Sequence, residues 1–97
     1  MKHEKRGYVY LMTNPGHTVV YTGVTRDLKK RVWEHKQKLT DSFTQRYNVT
    51  KLVYYQTFET LVDAISREKQ IKSGSRKKKD SLIDGFNPAR RDLYEEI

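Results

Sequence analysis

Three ionisable side chains, Arg31, His35 and Glu68, fall on helical stripes that are otherwise apolar. Counting 100° per residue from Leu28, Val32 falls at about 40°, Leu39 at about 20°, His35 at about 340° and Arg31 at about 300°. Counted from Leu61 in a later segment, Ile65 falls at about 40°, Ala64 at about 300°, Ile71 at about 280° and Glu68 at about 340°. A charged group on a buried helical face needs a partner or a ligand. One account is a buried ion pair, with Arg31 or His35 as mate to Glu68. The other is a cleft in which these groups meet a charged ligand.

Joined by the hydroxyls of Tyr10 and Tyr21, the set Tyr10, Tyr21, Arg31, His35 and Glu68 suits phosphodiester hydrolysis. One carboxylate, with water and phosphate oxygens, suits Mg²⁺ or Mn²⁺, hard cations that prefer oxygen donors. Such a metal holds the scissile phosphate and neutralises the departing 3′-oxygen. Arg31 braces the extra transition-state charge with a planar fork. A tyrosine of pKa about 10 is too weak an acid to act unaided as a phenolate base, but metal-bound water and a nearby guanidinium lower that value. The sequence does not assign roles between the two tyrosines, and ordinary strand aromatics is the competing reading of both. Other chemistries lack their parts: there is no cysteine, no Ser-His-Asp arrangement and no glycine-rich phosphate loop before a helix. His3, His17 and His35 lack zinc-ligand spacing, and the first two read as solvated.

Positioning these residues requires a hairpin and two helices. Gly7 to Thr13 reads as a strand, with Tyr8 and Tyr10 on one face and Val9 and Leu11 on the other. Asn14-Pro15-Gly16-His17 is a turn, Pro15 presetting φ and Gly16 tolerating a positive one. Thr18 to Thr22 returns antiparallel and brings Tyr21 near Tyr10. A helix from Asp27 to Leu39, with Thr25 as N-cap, carries Arg31 and His35 one turn apart. The polar stretch from Thr40 to Thr50 reads as a loop over the site; Phe43, Arg46 and Tyr47 in it suit stacking on bases or gripping phosphates, and equally pinning the loop to the body, the favoured reading for the two aromatics. Lys51 to Phe58 reads as a central or well-covered strand, apolar on both faces. Thr60 and Asp63 cap the next helix in an acidic variant of the capping box. Gly74 ends it, Ser75 caps a basic helix from Arg76 to Ile83, and Gly85 stops that one. Asn87-Pro88 opens a last helix, Ala89 to Glu96. The reading is an α+β fold, a three-stranded antiparallel sheet flanked by helices, in a single domain of residues 1–97 with its core at about 7–87.

A net charge of +8 favours a polyanionic partner, DNA above all. Arg26, Lys30, Arg46, Lys72, Arg76, Lys77 and Lys78 are the candidate backbone contacts, although the run Arg76-Lys77-Lys78-Lys79 cannot all face one way. Met1 to Arg6 is charged with no apolar run behind it, and no stretch is long enough to cross a bilayer, so a cytoplasmic location without membrane contact is expected.

Tyr8-Val9-Tyr10, Tyr21-Thr22-Gly23, Arg31 with His35, and Glu68 within Arg67-Glu68-Lys69-Gln70-Ile71-Lys72 together resemble the GIY-YIG nuclease family in order and spacing. Tyr8 departs from the first motif, which has Gly there; Gly7 is adjacent. The chain is similar to the nuclease domains of an excision-repair incision subunit and of homing endonucleases. The resemblance implies a metal-dependent endonuclease cutting DNA, branched or single-stranded forms included, directed by structure or by a protein partner in repair or recombination. It implies that Tyr10 or Tyr21 positions or deprotonates water, that His35 orients a tyrosine or relays the proton, that Glu68 binds the metal, and that Asn87 supports the site. The N-cap role accounts equally for Asn87. The alternative is a non-catalytic nucleic-acid-binding module on a degenerate nuclease fold. A basic protein bound to ribosomal RNA is a third reading, resting on charge alone.

Overall fold

The turn Asn14–His17 sets the register of the first hairpin. The Asn14 side chain accepts from the backbone N–H groups of Thr18 and Val19 at 2.9 and 3.0 Å, and His17 N–H returns to Asn14 C=O at 3.0 Å. The left-handed residue is His17, φ 59°, and not Gly16, because the asparagine cap closes the turn one residue later than the Pro-Gly pair suggests. His17 is also held, not merely solvated: its ring meets Thr13 Oγ1 at 3.3 Å. Residues 6–40 and 42–97 are described by this computed structural model, so the expectations for His3 and the charged start of the chain lie outside the described residues.

Strand β1 (Gly7–Thr13) pairs antiparallel with β2 (Val20–Thr25) and with β3 (Lys51–Phe58), giving the sheet order β2-β1-β3. β3 is thus an edge strand, well covered on both faces but not central, and the central position belongs to β1. Its two-sided apolar pattern has another cause. The register shifts between Leu11 and Met12, which pair with Tyr54 and Leu52. Val53 is the extra residue, so Val53 and Tyr54 both turn to one face while Leu52 serves the other.

Helices cover both faces. Val9, Leu11, Val53 and Tyr54 pack with Ala64 and Ile71 of α3 (Leu61–Lys72) and Ile83 of α4 (Arg76–Phe86). Tyr10, Met12 and Leu52 pack on the opposite face with Leu28 and Val32 of α1 (Leu28–Lys36), Val49 and Leu93. Gly7 allows the crossing of α3 over β1, since a Cβ there would lie 2.8 Å from Ala64 Cβ and 2.9 Å from Leu61 Cα.

Helix α1 begins two residues later than Thr25 predicts. Asp27 is the N-cap and accepts from Lys30 N–H at 3.1 Å, while Thr25 Oγ1 accepts from Asp27 N–H. It ends early as well. Lys38 adopts φ 60°, and Lys38 and Leu39 N–H bond back to His35 and Glu34 C=O in a Schellman closure that carries Leu39 off the stripe into solvent. The stretch that follows holds a short helix, α2 (Ser42–Arg46). Thr60 and Ser75 cap α3 and α4 as their sequences predict.

Gly85 does not stop α4. Phe86 packs edge-on against Tyr54 and Tyr55 at 5.2 and 5.3 Å, contacts that offset the roughly 1 kcal/mol cost of one helical glycine. Asn87 is consequently the C-cap of α4 and not the N-cap of another helix. The expected helix Ala89–Glu96 is an extended strap with one 3₁₀ turn, Tyr94–Glu96. The β3 edge explains it: Leu93 N–H bonds to Leu52 C=O at 2.8 Å, and Leu52 N–H to Asp92 Oδ1 at 3.2 Å. Lys36 of α1 pairs with Asp92, and the Lys29 ammonium bonds to the carbonyls of Tyr94 and Ile97, so the strap clamps α1 to the sheet.

Candidate active site

The alternation of β1 points Tyr10 at α1, where His35 waits on the buried stripe; both side chains are 2% exposed. Tyr10 Oη and His35 Nε2 lie 3.0 Å apart. The other ring nitrogen, Nδ1, meets Thr40 Oγ1 at 3.0 Å, and Thr40 bonds in turn to the buried Thr44. A neutral imidazole donates from one nitrogen and accepts at the other, and since both partners are hydroxyls that can do either, the chain fixes the ring orientation and satisfies both nitrogens in either tautomer. Thr40 and Thr44 were not legible as site residues; the only sequence signal is a hydroxyl five residues beyond His35, past the helix end.

Gly23 pairs with Tyr10 across the hairpin, and the tyrosine ring lies flat over it. A Cβ at Gly23 would sit 2.4 Å from Tyr10 Cζ and Oη, so this contact is what the glycine after Tyr21-Thr22 is for. The half-buried Tyr21 ring lies 5.3 Å from His35 and 6.3 Å from Tyr10. The structure therefore brings Tyr10, Tyr21 and His35 together as predicted.

Arg31 is not on the buried face. Its side chain is 45% exposed and pairs with Glu34 at 3.4 Å, because α1 meets the sheet through Leu28, Val32 and His35, leaving the 300° direction open. It lines a groove of about 370 Å³ between the end of β2, the start of α1 and the start of α3, where Arg26, Lys30 and Arg31 face Leu61 and Ile65. Glu68 stands on the same α3 stripe, three residues beyond Ile65, and is buried. Its carboxylate pairs with Lys72 at 2.8 Å, so neither Arg31 nor His35 is the mate that a buried ion pair would have used.

The five residues expected in one pocket are thus divided. The tyrosines and His35 lie on the α1 face, and Glu68 lies on the α3 face. Because β2 is an edge strand, the two faces communicate around it, and Arg31 stands at that passage. Thr22, which alternates with Tyr21 and so turns toward α3, has a buried hydroxyl with no hydrogen-bond partner among the described residues.

The remaining candidates are dispersed. Asn87 is buried at the other end of the fold, donating to Val53 C=O at 3.2 Å and to Arg91 C=O at 2.8 Å. Arg76 is engaged with the carbonyls of His17 and Thr18 and with Asp80, tying α4 to the β1–β2 turn. Lys77 and Lys78 are exposed, Lys72 pairs with Glu68, and Arg46 lies 5.8 Å over the Tyr47 ring. No group of three or more His, Cys, Asp or Glu side chains that could hold a metal ion occurs among the described residues. Of the candidate site residues Glu68 is the one carboxylate that could hold a metal, as suits an ion that keeps most of its water. No helix among the described residues is long and apolar enough to cross a membrane.

Comparison with known proteins agrees with this architecture. The profile described as the GIY-YIG catalytic domain matches residues 6–81. A UPF0213 protein of Haloquadratum walsbyi is 36% identical over 77 residues, 79% of this chain and 85% of the relative. One from Clostridium perfringens is 33% identical over 90 residues, 93% of this chain and 96% of the relative. The solution NMR structure of a UPF0213 protein from Bacillus halodurans superposes with a TM-score of 0.54 at 27% identity, covering 84% of this chain and 86% of that one.

Proposed function

The chain belongs to the GIY-YIG family of nuclease domains, and from that premise we propose that it is a metal-dependent endonuclease hydrolysing DNA phosphodiester bonds. One observation carries the reading. Helix α1 joins two half-sites, sending His35 into the tyrosine cluster and Arg31, one turn earlier, into the groove shared with α3, where Arg26, Lys30 and Arg31 outnumber Asp27 and Glu34.

A phosphate in that groove meets the fork of Arg31, with Arg26 and Lys30 beside it, and charge developing on the phosphoryl oxygens is stabilised there. Tyr21 is the better placed of the two tyrosines to meet water, being half-buried where Tyr10 is sealed. Tyr10 and His35 act as positioning residues that fix the Tyr21 ring. Tyr21 acts as the phenolate, its own proton having passed to solvent, and takes the proton of the attacking water; a cation bound nearby would favour that phenolate. Glu68 is the ligand for Mg²⁺ or Mn²⁺, and the ion when bound supplies neutralisation of the departing 3′-oxygen. Lys72, largely exposed, exchanges its contact with Glu68 for solvent at little cost. The biological setting we propose is structure-directed or partner-targeted cutting in repair or recombination.

The test is nicking of branched and single-stranded DNA in Mg²⁺ or Mn²⁺ against a chelator. Glu68→Gln and Arg31→Ala are each expected to lower the rate by about a hundredfold or more. Thermal stability stays within about 1 kcal/mol, because both native partners are exposed or half-exposed. A parent protein that binds DNA and cuts none of it in either metal overturns the reading in favour of a binding module. Unfolding of Glu68→Gln instead assigns Glu68 to the Lys72 ion pair.

A further inference from the structure

The short helix α2 and the residue that follows it, Tyr47, present two large aromatic side chains to solvent. Phe43 is 44% exposed and Tyr47 43% exposed, although the same segment buries Thr44 and Val49 completely or nearly so. The segment is therefore anchored by one side and leaves the other bare. The bare side is continuous with the tyrosine cluster: the Phe43 ring stacks at 29° on Tyr21, centroids 6.3 Å apart, and Tyr47 lies 5.0 Å from Phe43. Arg46 sits 5.8 Å over the outer ring. Together Phe43, Arg46 and Tyr47 border an opening of about 560 Å³.

We propose that Phe43 and Tyr47 form a stacking shelf for unpaired bases of a single-stranded nucleic acid, with Arg46 on its backbone. The sequence leaves these aromatics between stacking on bases and pinning their loop, with pinning favoured; Phe43 does touch Tyr21, but pinning leaves no reason for either ring to stay nearly half exposed. A base offers its face to an aromatic ring only when it is not already stacked within a duplex, so the shelf discriminates for unpaired nucleotides. The chemistry of the surroundings selects nucleic acid as the occupant. The chain carries a net charge of +8, and among the described residues the charged side chain bordering the opening is Arg46. The shelf starts at Tyr21, so the stacked bases lie next to the scissile position. That last consequence rests on the endonuclease reading; the binding does not.

The experiment measures affinity for labelled single-stranded and duplex oligonucleotides of equal length, without divalent metal, for the parent and for Phe43→Ala, Tyr47→Ala and their combination. The double variant is expected to lose about tenfold or more in single-strand affinity and less than about twofold in duplex affinity. A 2-aminopurine in the single strand is expected to be quenched by the parent and not by the double variant, a signal that a merely structural role would not move. Phe43→Trp keeps a ring where Phe43→Ala removes a contact of α2, and it retains the quenching. Equal losses on both substrates, or quenching unaltered by the double variant, overturn the proposal. So does a parent dimer that the double variant converts to monomer with DNA affinity unchanged, since the shelf is then a self-association face. A parent that stacks bases but never cuts DNA leaves the shelf standing and removes the nuclease reading alone.

Discussion

Replacing Gly23 by alanine tests the central packing claim of the site. The added methyl would lie 2.4 Å from Tyr10 Cζ and Oη and 2.8 Å from Cε1. No glycine has a positive φ, so the substitution carries no backbone strain and its effect is steric. Tyr10 is sealed between β1 and α1 and its hydroxyl is bound to His35, so the ring has no free direction of retreat. Overpacking of this kind costs about 1–3 kcal/mol. Breaking the Tyr10–His35 bond strands buried polar groups for about 1–3 kcal/mol more. The sum of roughly 2–6 kcal/mol is a large share of the 5–15 kcal/mol typical of a whole domain. The melting temperature is expected to fall by roughly 10 °C or more, followed by circular dichroism. Gly16→Ala, where a Cβ meets nothing within 4 Å, is the control and stays within about 0.5 kcal/mol. In a Tyr10→Leu background the same Gly23→Ala change is expected to cost less than about 1 kcal/mol, because the clashing atoms are gone. A Gly23→Ala protein melting within about 2 °C of the parent refutes the reasoning.

Asp92 links stability to pH. Burial raises its pKa, but hydrogen bonds from Lys36 and from the backbone N–H groups of Tyr94 and Leu52 outweigh this and hold it below the ordinary carboxylate value. A depressed folded pKa means that the stabilisation is complete above the unfolded value and is lost as pH falls through the folded one, so urea midpoints drop on the acid side of about pH 4. Asp92→Asn is expected to be less stable at neutral pH and flatter over that acid limb; parallel curves would contradict the assignment. Asn87→Ala leaves the carbonyls of Val53 and Arg91 without their donor and is expected to cost about 2 kcal/mol in denaturant unfolding, with cleavage per folded molecule retained. Cleavage lost at unchanged stability would return Asn87 to the site. Lys77→Ala and Lys78→Ala are each expected to weaken duplex binding uniformly across sequences and reduce the salt slope by about 0.9, read by titration at several salt concentrations.

The sequence by itself determined the three strands and the three main helices, and named the candidate residues. Alternation in Tyr8 to Leu11 assigned the two faces of β1, the Asn14 turn made the hairpin, and Thr60 and Ser75 marked true helix starts, because each of these signals acts between near neighbours. His35 and Glu68 were legible as buried ionisable groups for the same reason: a stripe is a local property of a helix. What lies between elements was not legible. Arg31 sits at the margin of its stripe, and whether a marginal residue faces core or solvent depends on how the helix is rolled against the sheet. The last segment looked like a helix by its Asn-Pro start and became a strap, since the bare edge of β3 needed backbone partners that only the tertiary structure revealed. The Schellman closure at Lys38, with no glycine to announce it, took Leu39 out of the core. The division of the site across two faces followed from strand order alone. Because β2 lies at the edge, Arg31 meets the α3 stripe around the sheet, a consequence of topology on which helical periodicity is silent.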